Sequence, residues 1–193
     1  MTPTSRPSRY VLAVTGASGM PYALRLAEAM GASENRELHI VVSQAARTVL
    51  EIETQDGYAL LASHATAVWN EKEIGAPPAS GSWHHDGMIV CPCSMASLAA
   101  IAHGLASNLI HRAADVTLKE KRPLILVPRE TPLSRIHVQN MLTIMDAGAT
   151  MIPPCPGFYS KPLTIDDLID QITGRILDHL GIDHRLTSPW TGV

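Results

Sequence analysis

The chain has 193 residues, 46% hydrophobic and 17% charged, with 15 basic against 18 acidic side chains and a formal net charge of −3. That is enough apolar material for one core and too little net charge for intrinsic disorder, and without a global basic field a dedicated nucleic-acid binder is disfavoured. No apolar run approaches the ~20 residues of a membrane-crossing helix and MTPTSRPSR carries no apolar signal segment, so a cytoplasmic protein with no membrane span is expected.

The polar stretch 1–9 reads as a disordered N-terminal arm, followed by a single domain over 10–193. Tyr10 to Thr15 is an apolar run ending at Gly16, a buried strand by pattern. From Ser18 the apolar positions Leu24, Leu26, Ala27 and Met30 form a helical stripe that stops at Gly31. Leu38 to Val42 is the next strand, and Ser43 is placed to cap a helix running through Glu53. Residues Thr54 to Trp83, with Pro77-Pro78 and Ser80-Gly81-Ser82, read mostly as loop. Strand Met88 to Cys91, helices Met95 to Ala102 and Asn108 to Glu120, and strand Leu124 to Val127 follow. Helix Pro132 to Ala147, a short strand Thr150 to Ile152 and a helix from Thr164 to Leu180 complete the series. Uniformly apolar strands alternating with helices belong to a doubly wound, Rossmann-like α/β fold with a mostly parallel sheet.

Such sheets bind ligands outside the carboxyl ends of their strands. There the sequence places Gly16-Ala17-Ser18, Ser43, Pro92-Cys93-Ser94, Pro128-Arg129-Glu130 and Pro153-Pro154. The Gly16–Gly19 turn fits either a phosphate cradle at a helix start or a tight turn with Ser18 as the cap. GxGxxG and the ribose carboxylate that would follow it are absent, which lowers the expectation of a nicotinamide nucleotide. Ser43 is a cap or a ligand hydroxyl, and Ser94-Met95-Ala96-Ser97 could cradle a polar ligand at another helix start. Cys91 and Cys93, at i and i+2, should share one face, but the three cysteines have no standard metal spacing. Arg112 and Lys119 share a helix face, where Asp115 could bond either. Arg129-Glu130 ends a strand where ligands sit, and Tyr159, Lys161 and Arg175 could converge with these cations on one anion. The nine histidines show no HxH or HExxH, and no Ser–His–Asp order fixes a nucleophile.

From about Tyr10 to Trp190 the chain resembles the UbiX-type flavin prenyltransferases, formerly described as aromatic-acid decarboxylases. The stretches that carry the resemblance are TGASGMPYALRL, VVSQAARTVLEIE, PPASGSW, CPCSMASLAAIAHG, NLIHRAADVTLKEKRPLILVPRETPL, NMLTIMDAGATMIPPCPGFY and the terminal PW. The resemblance implies a homo-oligomer, typically a dodecamer, that binds FMN between subunits and transfers a dimethylallyl group from dimethylallyl phosphate to N5 and C6 of reduced FMN. The product serves UbiD-type decarboxylases. By the same resemblance Gly16, Ala17, Ser18, Ser43, Ser94, Met95, Ala96, Ser97 and Arg129 are flavin ligands. Glu53, Lys119, Glu130 and Ser18 carry chemistry. Tyr159, Arg175, Arg129, Lys119 and Arg112 bind the phosphate substrate, and Trp190 is a lid from a neighbouring chain. Where several members have STGT this chain has Ser94-Met95-Ala96-Ser97, and Ile74 stands where some have Trp. No DDxxD-like cluster is present; Asp166-Asp167 opens the last helix, where a role at the helix dipole suffices. Metal-independent transfer is therefore expected. A flavin-dependent cysteine decarboxylase of the same fold is the enzyme alternative, although its PASANT and PxMN-type motifs are missing, and a flavin carrier without turnover is the third reading.

Overall fold

In the computed structural model, which describes residues 6–31, 33, 35–188 and 192, six parallel strands form one sheet in the order β3-β2-β1-β4-β5-β6. The strands are β1 (Ser8–Val14), β2 (Arg36–Val42), β3 (Ala67–Asn70), β4 (Gly87–Cys93), β5 (Leu124–Pro128) and β6 (Thr150–Met151). Among the described residues seven α-helices cover the two faces: α1 (Met20–Gly31), α2 (Gln44–Glu53), α3 (Gly57–Ser63), α4 (Met95–Ala102), α5 (Leu109–Lys119), α6 (Arg135–Asp146) and α7 (Ile165–His179). Strand order reverses between β1 and β4, which opens a crevice at their carboxyl ends.

The apolar runs of β1, β2, β4 and β5 feed two cores. Leu12, Val14, Ile40 and Ile89 pack with Met20, Leu26 and Ile176 on one face; Val11, Ala13, Val90 and Leu126 pack with Leu98, Ile110 and Ala113 on the other. Each fully buried aliphatic side chain contributes roughly 1.5–3 kcal/mol. Three expectations change. The segment 54–83 is not mostly loop: it contains α3 and β3, and β3 pairs with β2 from His39↔Ala67 to Val42↔Asn70. Only four residues long and half-buried throughout, β3 is an edge strand whose apolar stretch Ala67–Trp69 is too short to announce it.

β1 begins at Ser8 and not after residue 9. The Arg9 N–H donates to Asp86 at 2.7 Å, and its guanidinium pairs with Glu37, so polar residues satisfy this end of the strand. Arg6 also pairs with Asp86 at 2.9 Å, while residues 1–5 of the expected arm lie outside the described residues. Third, Cys91 and Cys93 do not share a face: Cys91 lies in the first core and Cys93 in the second. Val90 pairs with Leu126 and Cys93 with Pro128, so β4 spends one more residue than β5 over that interval, and this bulge inverts the alternation. Burial pushes the Cys93 thiol up to about 12, so it stays protonated and acts as core.

Candidate active site at the carboxyl edge of the sheet

Thr15, 1% exposed, locks the crevice. Its N–H and hydroxyl both donate to the Pro92 carbonyl, at 3.3 and 2.8 Å, and its Oγ1 accepts from the Ser94 N–H at 2.7 Å. The ends of β1 and β4 are thereby tied together where strand order reverses. By sequence Thr15 is only the end of a strand. A threonine between a buried strand and a glycine turn was the available signal.

Gly16 is needed for close approach, because a Cβ there would lie 2.4 Å from the Ala45 Cβ of α2. Gly19 has φ +114°, a backbone state that side chains disfavour. The start of α1 follows neither reading offered by its sequence. The Gly19 and Met20 N–H groups, each at 2.9 Å, donate to one oxygen of Glu53, which returns from the end of α2. An internal carboxylate thus takes the place of a phosphate, and Ser18 donates its hydroxyl to Glu53 in place of capping the helix. Burial raises the Glu53 pKa, but the bonds from Ser18, Met20 and Gly19 and the charge of Arg129 together hold it below the usual carboxylate range. A depressed folded-state pKa stabilises the fold fully above the unfolded value of about 4.3, and that stabilisation is lost as pH falls through the folded value. The melting-temperature advantage of the wild type over Glu53→Gln should therefore shrink as pH falls below about 4. An advantage that stays constant or grows there would show that Glu53 is not this latch.

The neighbouring helix starts remain open to a ligand. Ser43 and Ser94 cap α2 and α4, accepting from the N–H groups of Ala46 at 3.0 Å and Ser97 at 3.2 Å. The Ser94 hydroxyl also donates to Ser97 Oγ at 3.1 Å. Among the described residues nothing accepts from the Met95 and Ala96 N–H groups, which gives this edge two free donors at a positive helix end. Arg129 is half-buried after β5, and its Nε donates to the Ser18 carbonyl at 3.3 Å. Exposed Glu130 accepts from the Thr131 N–H at 3.0 Å. Small residues, hydroxyls, two free N–H groups and one guanidinium suit a planar, phosphate-bearing ligand such as FMN.

Tyr159, Lys161 and Arg175 line one cavity of about 670 Å³ between the loop after β6, α7 and residues 186–188. Arg175 pairs there with Asp178 at 3.0 Å. These three residues thus line one cavity, but Arg129, expected to converge with them, does not line it. Arg112 and Lys119 are not part of it. Arg112 donates to the Ala79 carbonyl at 3.1 Å and pairs with Asp115 at 2.7 Å, while Lys119 pairs with Glu120 at 3.0 Å. Lys119 ends the helix that leads into the start of β5, whereas Arg129 follows the end of that strand. The five residues of β5 separate the two by on the order of 15 Å along the sheet. Trp190 lies outside the described residues, and Ile74 is exposed. Burial pushes His85 down to about 4, so it is a neutral core group and not an acid.

Fold and donor set define a doubly wound α/β protein with a donor-lined crevice at its switch point. The family described as Flavoprotein matches residues 2–177. The flavin prenyltransferase UbiX of Pseudomonas aeruginosa is 44% identical, covering 96% of this chain and 95% of its own. The crystal structure of a dodecameric FMN-dependent UbiX-like decarboxylase from Escherichia coli O157:H7 superposes with a TM-score of 0.93 at 43% identity, over 95% of this chain and all of that one. AnUbiX (PadA1) in complex with FMN and dimethylallyl pyrophosphate gives 0.94 at 45% identity, over 97% of this chain and all of that one. The chain belongs to the flavoprotein family, within its UbiX-type flavin prenyltransferases.

Proposed function

We propose that this protein transfers a dimethylallyl group from dimethylallyl phosphate to N5 and C6 of reduced FMN, making prenylated FMN for a UbiD-type decarboxylase. The observation that carries the reading is the pairing of two sites on one chain: an open-ended crevice with Ser43, Ser94, Ser97 and Arg129, and a cavity holding Tyr159, Lys161 and Arg175. The similarity to prenyltransferases along nearly the whole chain supports it over a cysteine decarboxylase or a passive carrier.

Reduced FMN supplies the nucleophilic positions when bound. Gly16, Ala17, Ser43 and the Ser94–Ser97 turn hold it, with Arg129 beside Ser18. Leaving of the phosphate builds negative charge on oxygen and positive charge on carbon, so fixed donors must meet the phosphate while the allyl side stays dry. Tyr159 and Arg175 provide donors from one chain. Lys119, toward the amino edge of the sheet, and Arg112, near the start of the same helix and outside the Tyr159–Arg175 cavity, provide them from another copy, so the active form is a homo-oligomer, a dodecamer by similarity to the E. coli structure. Protein cations do this work without a metal ion. Ser18 and Glu53, already hydrogen-bonded, relay a proton at N5, and Glu130 moves one at the leaving phosphate.

Glu130→Gln should lower turnover by ~10² to 10⁴ with FMN affinity retained, because it removes a proton-transfer group and keeps ground-state contacts. Wild-type turnover in that variant would remove Glu130 from the chemistry. The reading as a whole is tested by the mass of the flavin after anaerobic incubation of the wild type with reduced FMN, dimethylallyl phosphate and EDTA. Gain of one five-carbon unit is expected; a cysteine decarboxylase or a carrier leaves the flavin unchanged. Activity that collapses with EDTA and returns with magnesium would overturn the metal-free mechanism.

A further inference from the structure

Helix α7 turns Gln171, Gly174, Arg175 and Asp178 to one face, at i, i+3, i+4 and i+7. Gln171 is 9% exposed. Its Oε1 accepts from the Gly157 N–H and its Nε2 donates to Ser160 Oγ at 3.4 Å, so one buried amide grips the loop on both sides of Tyr159. On the opposite side, a Cβ at Gly174 would lie 2.9 Å from His184 Cε1 and 3.0 Å from Thr187 Oγ1. The absence of a side chain there lets the segment 184–187 lie against the helix. His184 Nδ1 accepts from the Leu186 N–H at 3.3 Å, which leaves the proton on Nε2, 3.1 Å from Asp178 Oδ1. The other Asp178 oxygen takes Arg175 at 3.0 Å. Leu186, Thr187 and Ser188 line the same cavity as Tyr159 and Arg175.

We propose that Gln171, Asp178 and His184 are positioning residues for phosphate recognition: Gln171 sets the Tyr159 wall of the cavity, and the Asp178–His184 pair sets the C-terminal wall and aims Arg175. An exposed guanidinium samples many rotamers, and a carboxylate that narrows them before the anion arrives lowers the ordering cost of binding. This inference rests on the reading that Tyr159 and Arg175 receive the phosphate.

Steady-state kinetics with dimethylallyl phosphate and reduced FMN, beside FMN titrations, test it. Gln171→Ala and His184→Ala should each raise KM for dimethylallyl phosphate on the order of ten- to hundredfold, with a smaller change in kcat and none in FMN affinity. His184→Gln, which still offers an N–H to Asp178, should recover part of the loss and serves if His184→Ala does not fold. A residue that acts through another loses its effect when that partner is gone. Gln171→Ala should therefore add little in a Tyr159→Phe background, and His184→Ala little in an Arg175→Ala background. Equal losses in every background, or FMN affinity falling in step with KM, would overturn the proposal. If the wild type prenylates FMN and the variants match it, this inference alone fails; if the wild type does not prenylate FMN, the functional reading fails with it.

Discussion

Arg175→Ala should lower turnover with dimethylallyl phosphate by roughly 30- to several-thousand-fold and leave FMN bound. Removing a desolvated charged donor from a phosphate costs ~2 to 5 kcal/mol, and each ~1.4 kcal/mol is a factor of ten. In the single chain the Arg175 side chain is 59% exposed and, among the described residues, ion-paired with Asp178 alone, an exposed pair worth at most about 1 kcal/mol. Its loss should therefore leave the melting temperature nearly unchanged while the chemistry fails. Tyr159→Phe, which removes a neutral donor from the same cavity, should cost less. Isothermal titration with FMN and turnover assays on the two variants separate binding from chemistry. Equal losses of FMN affinity and of turnover would place Arg175 at the flavin and not at the phosphate.

The second large effect is expected from Glu53→Gln. The amide oxygen can still accept from Gly19 and Met20, so α1 keeps its start, but the group can no longer take the proton relayed by Ser18. Turnover should fall by ~10² to 10⁴ with FMN affinity little changed. Single-turnover kinetics measure the chemical step directly, and a step as fast as in the wild type would confine Glu53 to its structural part in closing the helix.

Much of this architecture was legible in the residues. The uniformly apolar strands implied a doubly covered parallel sheet, and Ser43, between such a strand and an amphipathic stretch, is the cap of α2. What escaped has physical reasons. β3 pairs through backbone groups at the sheet edge and carries only half-buried side chains. The bulge in β4 is a matter of pairing register, which local alternation does not encode. Glu53 closes a helix that starts 33 residues before it in the chain, a contact that depends on how α2 packs. The separation of Lys119 from Arg129, by contrast, was available from topology: the helix before a parallel strand ends at that strand's amino edge, so in one chain the two cations lie at opposite edges of the sheet.

Whether one active site joins those two edges from different copies is tested most directly by co-expression. Lys119→Ala and Arg175→Ala chains should each be inactive as homo-oligomers. In a randomly mixed oligomer whose sites take Lys119 from one copy and Arg175 from another, roughly one site in four regains both intact groups. Native mass spectrometry to verify mixing, together with the rate of flavin prenylation, should then show about a quarter of wild-type activity. Mixed oligomers as inactive as either parent would contradict a site shared between copies.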